Sequence, residues 1–212
     1  MGSGTGKIGL FGGSFDPVHV GHLIIANDAL EQGQLDAIWF LPAGHSPLKN
    51  RGPLASGQAR REMLRLATSN FPFFRVEPLE LEREGKSYSV ESVEQLQSEH
   101  PDARFFWILG ADQFSRLDQW HRVDRLSEGV TFLVYERPGE VLRAPDLPGI
   151  QLSWQSLRPR FLSISSTEIR QRIAEGREYH PFVTPAVAAY IEMHRLYHNN
   201  SSEIMKTTAH GS

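Results

Sequence analysis

Residues 9–22 read GLFGGSFDPVHVGH, and His19 and His22 stand three positions apart just behind a glycine turn. Gly12 and Gly13 have no side chains, so their backbone N–H groups can come close to a ligand. A helix opening behind the turn adds unpaired N–H groups and the positive end of its dipole. On that helix a spacing of three brings both rings to one side, and imidazole N–H groups donate to phosphate oxygens. The arrangement favours an anion. Zinc is the competing reading, because it takes histidine pairs, but its sites call for further protein ligands. The chain has no cysteine, and no E-x-x-H stands nearby. A tight strand-to-helix turn explains the two glycines alone equally well; H-x-G-H directly behind them is what points to function. Gly21 leaves room for something to pass close between the rings.

Two further clusters carry suitable polar groups. Residues 164–170, ISSTEIR, place Ser165 as a helix cap with Glu168 three positions on, the spacing of a capping box. The free N–H groups of that helix start, the hydroxyls of Ser166 and Thr167, and Arg170 one turn later all suit phosphate. Taken alone, the segment reads more simply as a capped helix with a surface arginine. Residues 110–120, GADQFSRLDQW, follow the apolar run RFFWIL. Asp112 at a strand end is placed to accept from ribose hydroxyls, and Trp120 can stack on an aromatic base. The plainer readings are a helix-capping aspartate and a core tryptophan.

A scaffold has to bring these three clusters together. Hydrophobic periodicity predicts strands over 7–11, 36–41, 73–77, 104–109, 130–135 and 161–164. Helices are expected over 22–31, 57–69, 89–99 and 166–176, with a helix or a helix pair over 111–127 and a last helix from Thr184-Pro185 to about 197. Residues 43–56 and 79–86 read as loop or edge excursion, and 137–158 is rich in proline and glycine and reads as loop. Short apolar strands alternating with helices imply a Rossmann-like, doubly wound α/β fold, with a mostly parallel sheet and helices on both faces. Ligands of such sheets sit beyond the carboxyl ends of the strands, at a topological switch point. All three clusters fall at such ends. One domain is expected over 7–198, with flexible tails at 1–6 and 199–212.

Composition narrows the classes. The chain has 212 residues, 40% of them hydrophobic, enough for one medium domain with a sizeable core. Net charge is −3, so no global basic field argues for nucleic acid. The lack of cysteine removes disulfides, thiol catalysis and cysteine-held clusters. No apolar run reaches membrane-spanning length and no secretory signal pattern stands at the start, so the cytoplasm is the expected compartment. Gly4, Gly6 and Gly9 spell G-x-G-x-x-G, but they precede the first strand instead of following it, and that pattern is rejected.

The motifs carry a resemblance. G-G-S-F-D-P-V-H-V-G-H resembles the signature of the nucleotidyltransferase superfamily, a G-x-F-D/N-P turn followed by H-x-G-H, and ISSTEIR looks like its second signature. G-A-D with a tryptophan eight residues after the aspartate resembles bacterial nicotinate-mononucleotide adenylyltransferases. So do YSVESV (88–93), ERPG (136–139) and the ending AAYIEMHRLY (188–197). The likeness runs from about 7 to 197. It implies adenylyl transfer from ATP to nicotinate mononucleotide in NAD biosynthesis, with release of pyrophosphate. By the same resemblance, His19, His22 and Arg170 are catalytic, offsetting charge on the triphosphate. Gly12, Gly13, Ser14, Phe15, Lys49, Ser165, Ser166 and Thr167 are expected to bind ATP and its phosphates. Gly110, Asp112, Trp120, Tyr88, Ser89 and Arg137 are expected to bind the nucleotide acceptor. Mg²⁺ is expected with ATP as co-substrate, and no metal held by the protein's own side chains. The expected partners are ATP and nicotinate mononucleotide, with no nucleic acid and no membrane, and a homo-oligomer is left open.

The sequence departs from the family pattern in two places. Residues 42–49 read PAGHSPLK where the family has P-x-x-x-P-P-H-K, so Leu48 takes the usual histidine position and a histidine stands at 45. The family's Tyr-Thr pair is Tyr88-Ser89, which keeps the hydroxyl. Rival readings are an adenylyltransferase for nicotinamide mononucleotide or phosphopantetheine, and a nucleotide-binding regulatory module without turnover. Two intact signatures weigh against the module, and the Asp112 to Trp120 spacing weighs against phosphopantetheine.

Overall fold

The computed structural model describes residues 6–44, 52–136, 142–158, 160 and 163–199. In chain order the elements are β1 (Lys7–Gly13), α1 (Val20–Gln32), β2 (Ala37–Pro42), α2 (Gly57–Thr68), β3 (Phe74–Val76), α3 (Leu79–Glu82) and α4 (Ser89–Glu99). There follow β4 (Arg104–Gly110), α5 (Ala111–Phe114), α6 (Val123–Gly129), β5 (Val130–Tyr135), β6 (Trp154–Leu157), α7 (Ser166–Ala174) and α8 (Pro185–Met193). Short 3₁₀ turns lie at Leu117–Gln119 and His180–Phe182.

The six strands form one sheet in the order β3-β2-β1-β4-β5-β6, and every adjacent pair is parallel. The order reverses between β1 and β4, so the switch point lies where those two strands end, at Gly13 and Gly110. Side chains alternate across the sheet with a period of two. Along β4, Phe105, Trp107 and Leu109 pack into one core with Leu10, Trp39 and Leu41, while Phe106 and Ile108 join the opposite core with Phe11, Ile38 and Phe40. Burial on both faces is why β1, β4 and β5 read as nearly unbroken apolar runs. Helix starts follow their caps. The Ser56 hydroxyl accepts from the Ala59 N–H at 3.2 Å, and Thr184 caps α8 ahead of Pro185.

Three expectations change. The sixth strand is Trp154–Leu157, inside the stretch expected to be loop; 163–165 lies outside the sheet, and 161–162 lie outside the described residues. β6 pairs only with β5, and only Leu157 of its four residues is buried, so an edge strand of this kind leaves no apolar run to read. Within 79–86, expected as loop, Leu79–Glu82 forms a single helical turn. The last helix stops at Met193, and the chain turns sharply before Tyr197.

Candidate active site

β1 delivers the glycine turn to the switch point. A Cβ on Gly12 would lie 3.0 Å from the Trp107 ring, and one on Gly13 would lie 2.9 Å from the Phe15 ring. The glycines are therefore required by the packing of the turn as well as by any ligand above it. Phe15 turns back at φ 47°. Its ring packs edge-on against Phe11 and His22, at 5.6 and 4.9 Å between centroids. That ring is fully buried, so of Phe15 only the backbone is left for a phosphate.

The loop beyond Phe15 is tied down through its carbonyls. Arg60 of α2 donates from one Nη to the Ser14 carbonyl at 2.9 Å and the Ala43 carbonyl at 2.7 Å. Ser166 donates to the Pro17 carbonyl at 2.8 Å, and Arg170 to the Asp16 carbonyl at 2.7 Å. The Asp16 carboxylate accepts from the N–H groups of Leu54 and Ala55, at 2.7 and 3.0 Å. Arg60 and Asp16 escaped the reading of the sequence. Asp16 stood inside the first motif with no role, and nothing local to Arg60 marks a partner 46 residues away.

His19 caps α1 with extended backbone instead of lying within the helix, and His22 takes the third helical position. The two rings stack at 3.7 Å between centroids and 26° between planes. The backbone N–H of His19 donates to His22 Nδ1 at 3.2 Å, which leaves Nε2 as the protonated nitrogen of His22. Burial lowers the His19 pKa to about 4. Burial also holds His22 well below its usual value, and the neighbouring His19 adds to the shift. Both imidazoles are neutral at pH 7. His19 Nδ1 is buried and has no hydrogen-bond partner among the described residues. A Cβ at Gly21 would sit 3.0 Å from that nitrogen, so Gly21 makes room for the His19 ring itself and not for something between the rings.

The second cluster closes on the same loop. Ser165 caps α7 by accepting from the Glu168 N–H at 3.1 Å. The expected capping box is only half formed, because the Glu168 carboxylate turns to Arg172 at 2.8 Å, and a charge-assisted pair outcompetes a neutral backbone donor. Arg170 also donates to the Thr167 hydroxyl at 3.2 Å. Ser165, Ser166 and Thr167 thus each have an internal partner, and only part of the Arg170 guanidinium remains for a ligand.

Across the end of β1 opens a pocket of about 370 Å³. The expected residues Gly12, Gly13, Ser14, Tyr88, Ser89 and Trp120 line it. So do Trp107, Gln113, Gln119, His121 and Glu80, which were not expected. Trp120 meets Trp107 edge-on at 6.1 Å, and Tyr88 lies against His121 at 4.3 Å. Glu80 is buried, and burial raises its carboxyl pKa; it accepts from the Ser92 hydroxyl at 3.1 Å and from the Gly44 N–H. Asp112 is not among the lining residues. It stands exposed in the first turn of α5, folded against Gly110, where an added Cβ would meet its Oδ1 at 2.6 Å. His19, His22, Arg170, Ser165, Ser166 and Thr167 lie off the pocket, on the loop side. Lys49 and Arg137, like His45 and Leu48, lie outside the described residues. Trp107 stood in the sequence only as part of an apolar run; it belongs to the core on the Leu109 face and also reaches the pocket.

Among the described residues no three His, Cys, Asp or Glu side chains gather where they could hold a metal ion. The one carboxylate in the loop, Asp16, is already taken up by backbone donors. A divalent ion has no cage of side chains here. It fits as a passenger on a nucleotide's phosphates, which is how Mg²⁺ is commonly bound. No helix among the described residues is long and apolar enough to cross a membrane.

A profile of cytidylyltransferase-like proteins matches residues 10–172. A Geobacillus thermodenitrificans protein named as a probable nicotinate-nucleotide adenylyltransferase is 44% identical over 192 residues, 91% of this chain and 86% of the relative. A protein of the same name from Salinibacter ruber is 41% identical over 190 residues, 90% of this chain and 97% of the relative. Among solved structures, the Plasmodium falciparum nicotinic acid mononucleotide adenylyltransferase complexed with NaAD superposes with a TM-score of 0.72 at 19% identity. That match covers 91% of this chain and 97% of the other. At that identity it bears on the fold alone.

Proposed function

The chain belongs to the nicotinate-nucleotide adenylyltransferases of the cytidylyltransferase-like family, and on that premise we propose how its residues divide the work of adenylyl transfer. The reaction joins ATP and nicotinate mononucleotide into nicotinate adenine dinucleotide and pyrophosphate, a step of NAD biosynthesis. A 5′-phosphate oxygen of the mononucleotide forms the new bond to the α-phosphorus of ATP. The bond from that phosphorus to the bridging oxygen breaks, and pyrophosphate leaves with the electron pair. The nucleophile is already ionised at neutral pH, so no general base and no covalent enzyme intermediate are needed. Catalysis is alignment plus stabilisation of charge.

One observation carries this division. The turn Gly12–Gly13–Ser14 both lines the pocket and runs directly into the clamped loop that bears His19 and His22. An acceptor seated beside Trp120 and a triphosphate lying over the histidines would meet at that turn. His19 and His22, neutral in the free protein, serve as hydrogen-bond donors to the triphosphate, and its negative charge raises their affinity for protons as it arrives. Arg170 offers the free part of its guanidinium and Lys49 adds charge. Gly12, Gly13, Ser14, the Phe15 backbone and the α7 start at Ser165 to Thr167 shape the phosphate seat. Trp120, Tyr88, Ser89 and Arg137 hold the pyridine nucleotide, and Gly110 with Asp112 takes ribose hydroxyls. Mg²⁺, which would be held by the phosphates of ATP and not by a cage of side chains, would supply neutralisation of phosphate charge. The whole site lies in one domain over 7–198, and the cytoplasm is the proposed compartment.

The test is pyrophosphate release from ATP with nicotinate mononucleotide, nicotinamide mononucleotide and phosphopantetheine as acceptors. Turnover is expected with the first, at a kcat/KM well above the other two. Turnover with phosphopantetheine alone, or with none of the three, overturns the assignment.

A further inference from the structure

The last described residues return to the histidine loop. Beyond α8 the chain passes through Arg195 at φ 49° and Tyr197 at φ 66°. Bulky residues rarely enter this left-handed region, and they stay there only when their surroundings hold them. The N–H of Arg195 donates to the Glu192 carbonyl at 3.1 Å and that of Leu196 to the Ile191 carbonyl at 3.0 Å, which closes the turn. The turn aims Tyr197 inward, and its hydroxyl donates to Asp16 Oδ1 at 2.7 Å across 181 positions of sequence.

Asp16 is the hub of the loop. It is 3% exposed. Oδ1 already accepts from Ala55, Oδ2 accepts from Leu54, and an Arg170 Nη lies 3.9 Å from Oδ2. The same Arg170 nitrogen holds the Asp16 peptide carbonyl at 2.7 Å. The segment before α2, helix α7 and the C-terminal turn therefore converge on one carboxylate, three residues ahead of His19. Burial and the adjacent Asp16 raise the Tyr197 phenol well above its usual value, so it remains a donor throughout the working pH range.

We infer that Tyr197 is a positioning residue for nucleotidyl transfer: its hydroxyl completes the hydrogen bonds of Asp16 and thereby sets where the loop holds His19 and His22. The inference rests on the proposed function only for the identity of the reaction that slows. Without the hydroxyl, a buried carboxylate is short of one donor, and among the described residues Arg170 is the cation in ion-pair reach, at 3.9 Å. Re-pairing draws the guanidinium away from the Asp16 carbonyl and from Thr167, and the loop loses a tie at the point where the histidines branch from it. Neither Asp16 nor Tyr197 lines the pocket beside Trp120, so acceptor binding should be spared.

The experiment is Tyr197→Phe in the full chain, which keeps the ring and removes one oxygen. Three readouts are taken at a temperature where the variant is fully folded: kcat, the KM for the mononucleotide, and amide hydrogen exchange over 14–22. The expected result is a fall in kcat of about tenfold or more, in keeping with the cost of a sub-ångström misplacement. The KM for the mononucleotide should stay within about twofold of the parent, and exchange should quicken in 14–22 but not in β4 or β5. Asp16→Asn should act in the same direction, and the double variant should be no worse than the worse single. A kcat within about twofold of the parent overturns the inference, as does a loss of rate that merely tracks a loss of folded protein. If the parent shows no adenylyl transfer, the functional reading fails. The clamp is then decided by exchange alone: faster exchange in 14–22 upholds it and unchanged exchange overturns it.

Discussion

On one side of the β1 end, the histidine loop is held by charged and hydroxyl side chains that bind its carbonyls: Arg60, Ser166 and Arg170. On the other side, the pocket is walled by Trp107, Trp120, Tyr88 and His121, which meet ring against ring. The first construction ties the loop backbone at several points, and preorganised donors are what stabilising a transition state requires. The second offers flat apolar faces with a few polar edges, which is what recognising a planar heterocycle requires. On the proposed division, rate and recognition lie on the two sides of one strand, and changes on the two sides should appear in different kinetic constants.

The largest effect is expected from His22→Ala. Removing a preorganised donor costs about 10²- to 10³-fold in kcat, while the KM for the mononucleotide should hold within about twofold. Near-normal turnover would remove the loop from the chemistry. Trp120→Ala should do the reverse. Loss of one stacking face is worth about 1–3 kcal/mol, so the mononucleotide KM should rise about tenfold or more while that for ATP changes little. Equal shifts in both constants would make Trp120 a core residue only.

Glu80 probes the pocket wall, because it joins the end of β2, α3 and α4 through Gly44, Ser87 and Ser92. Glu80→Ala leaves the Gly44 N–H short of an acceptor and the Ser92 hydroxyl with only the Tyr88 carbonyl at 3.5 Å, at a cost of about 1–3 kcal/mol. Urea unfolding should show that loss, and the mononucleotide KM should rise with it; Glu80→Gln should recover most of both. If Glu80→Ala moves kcat alone, the separation of the two sides is wrong.

The smallest effects are in pH, and they have opposite signs on the two sides. His19 and His22 have folded pKa values below the unfolded 6.5. The unfolded chain binds their protons first, so stability falls as pH drops below about 6.5 and, for His19, levels off near 4. Glu80 has a raised folded pKa, so its contribution is present below the unfolded value of 4.5 and is lost as pH rises through the folded one. Thermal unfolding between pH 7 and 5 should show falling stability, and His19→Asn should flatten that slope. An unchanged slope would mean that the histidine rings take up protons as freely in the folded protein as outside it.

The same contrast governs what could be read in advance. The loop side was legible because its parts are contiguous: H-x-G-H lies within one strand-to-helix turn, and ISSTEIR within one helix start. Each motif states its local geometry through caps and glycines. Even there the helix start was off by two residues, since it was expected at 22 and begins at Val20 with His19 as its cap. A cap and a first-turn residue share a similar pattern in sequence, and the backbone angle at position 19 decides between them. Beyond the turn at Gly12, Gly13 and Ser14, the pocket lining was legible only at Tyr88, Ser89 and Trp120. Gln113, Gln119 and His121 lie in or beside the 110–120 motif but carried no assigned role there, while Trp107 and Glu80 come from β4 and α3, and no spacing joins Glu80 to the rest. Asp112, placed in the site by its position after β4, lies off the pocket lining. The edge strand β6 went unread for a related reason, since one-sided pairing demands little apolar character.

Local chemistry therefore carried the alternation of strands and helices, the all but unbroken apolar runs of β1, β4 and β5, and the residue types that point to phosphate. These follow from periodicity and capping, which act over a few residues. The crossing order that makes β1 and β4 neighbours, the pocket that forms between β1 and α4, and the return of Tyr197 to Asp16 belong to the folded chain. They depend on contacts between segments tens to nearly two hundred residues apart. Such contacts exist only once the two cores have been buried on either face of the sheet.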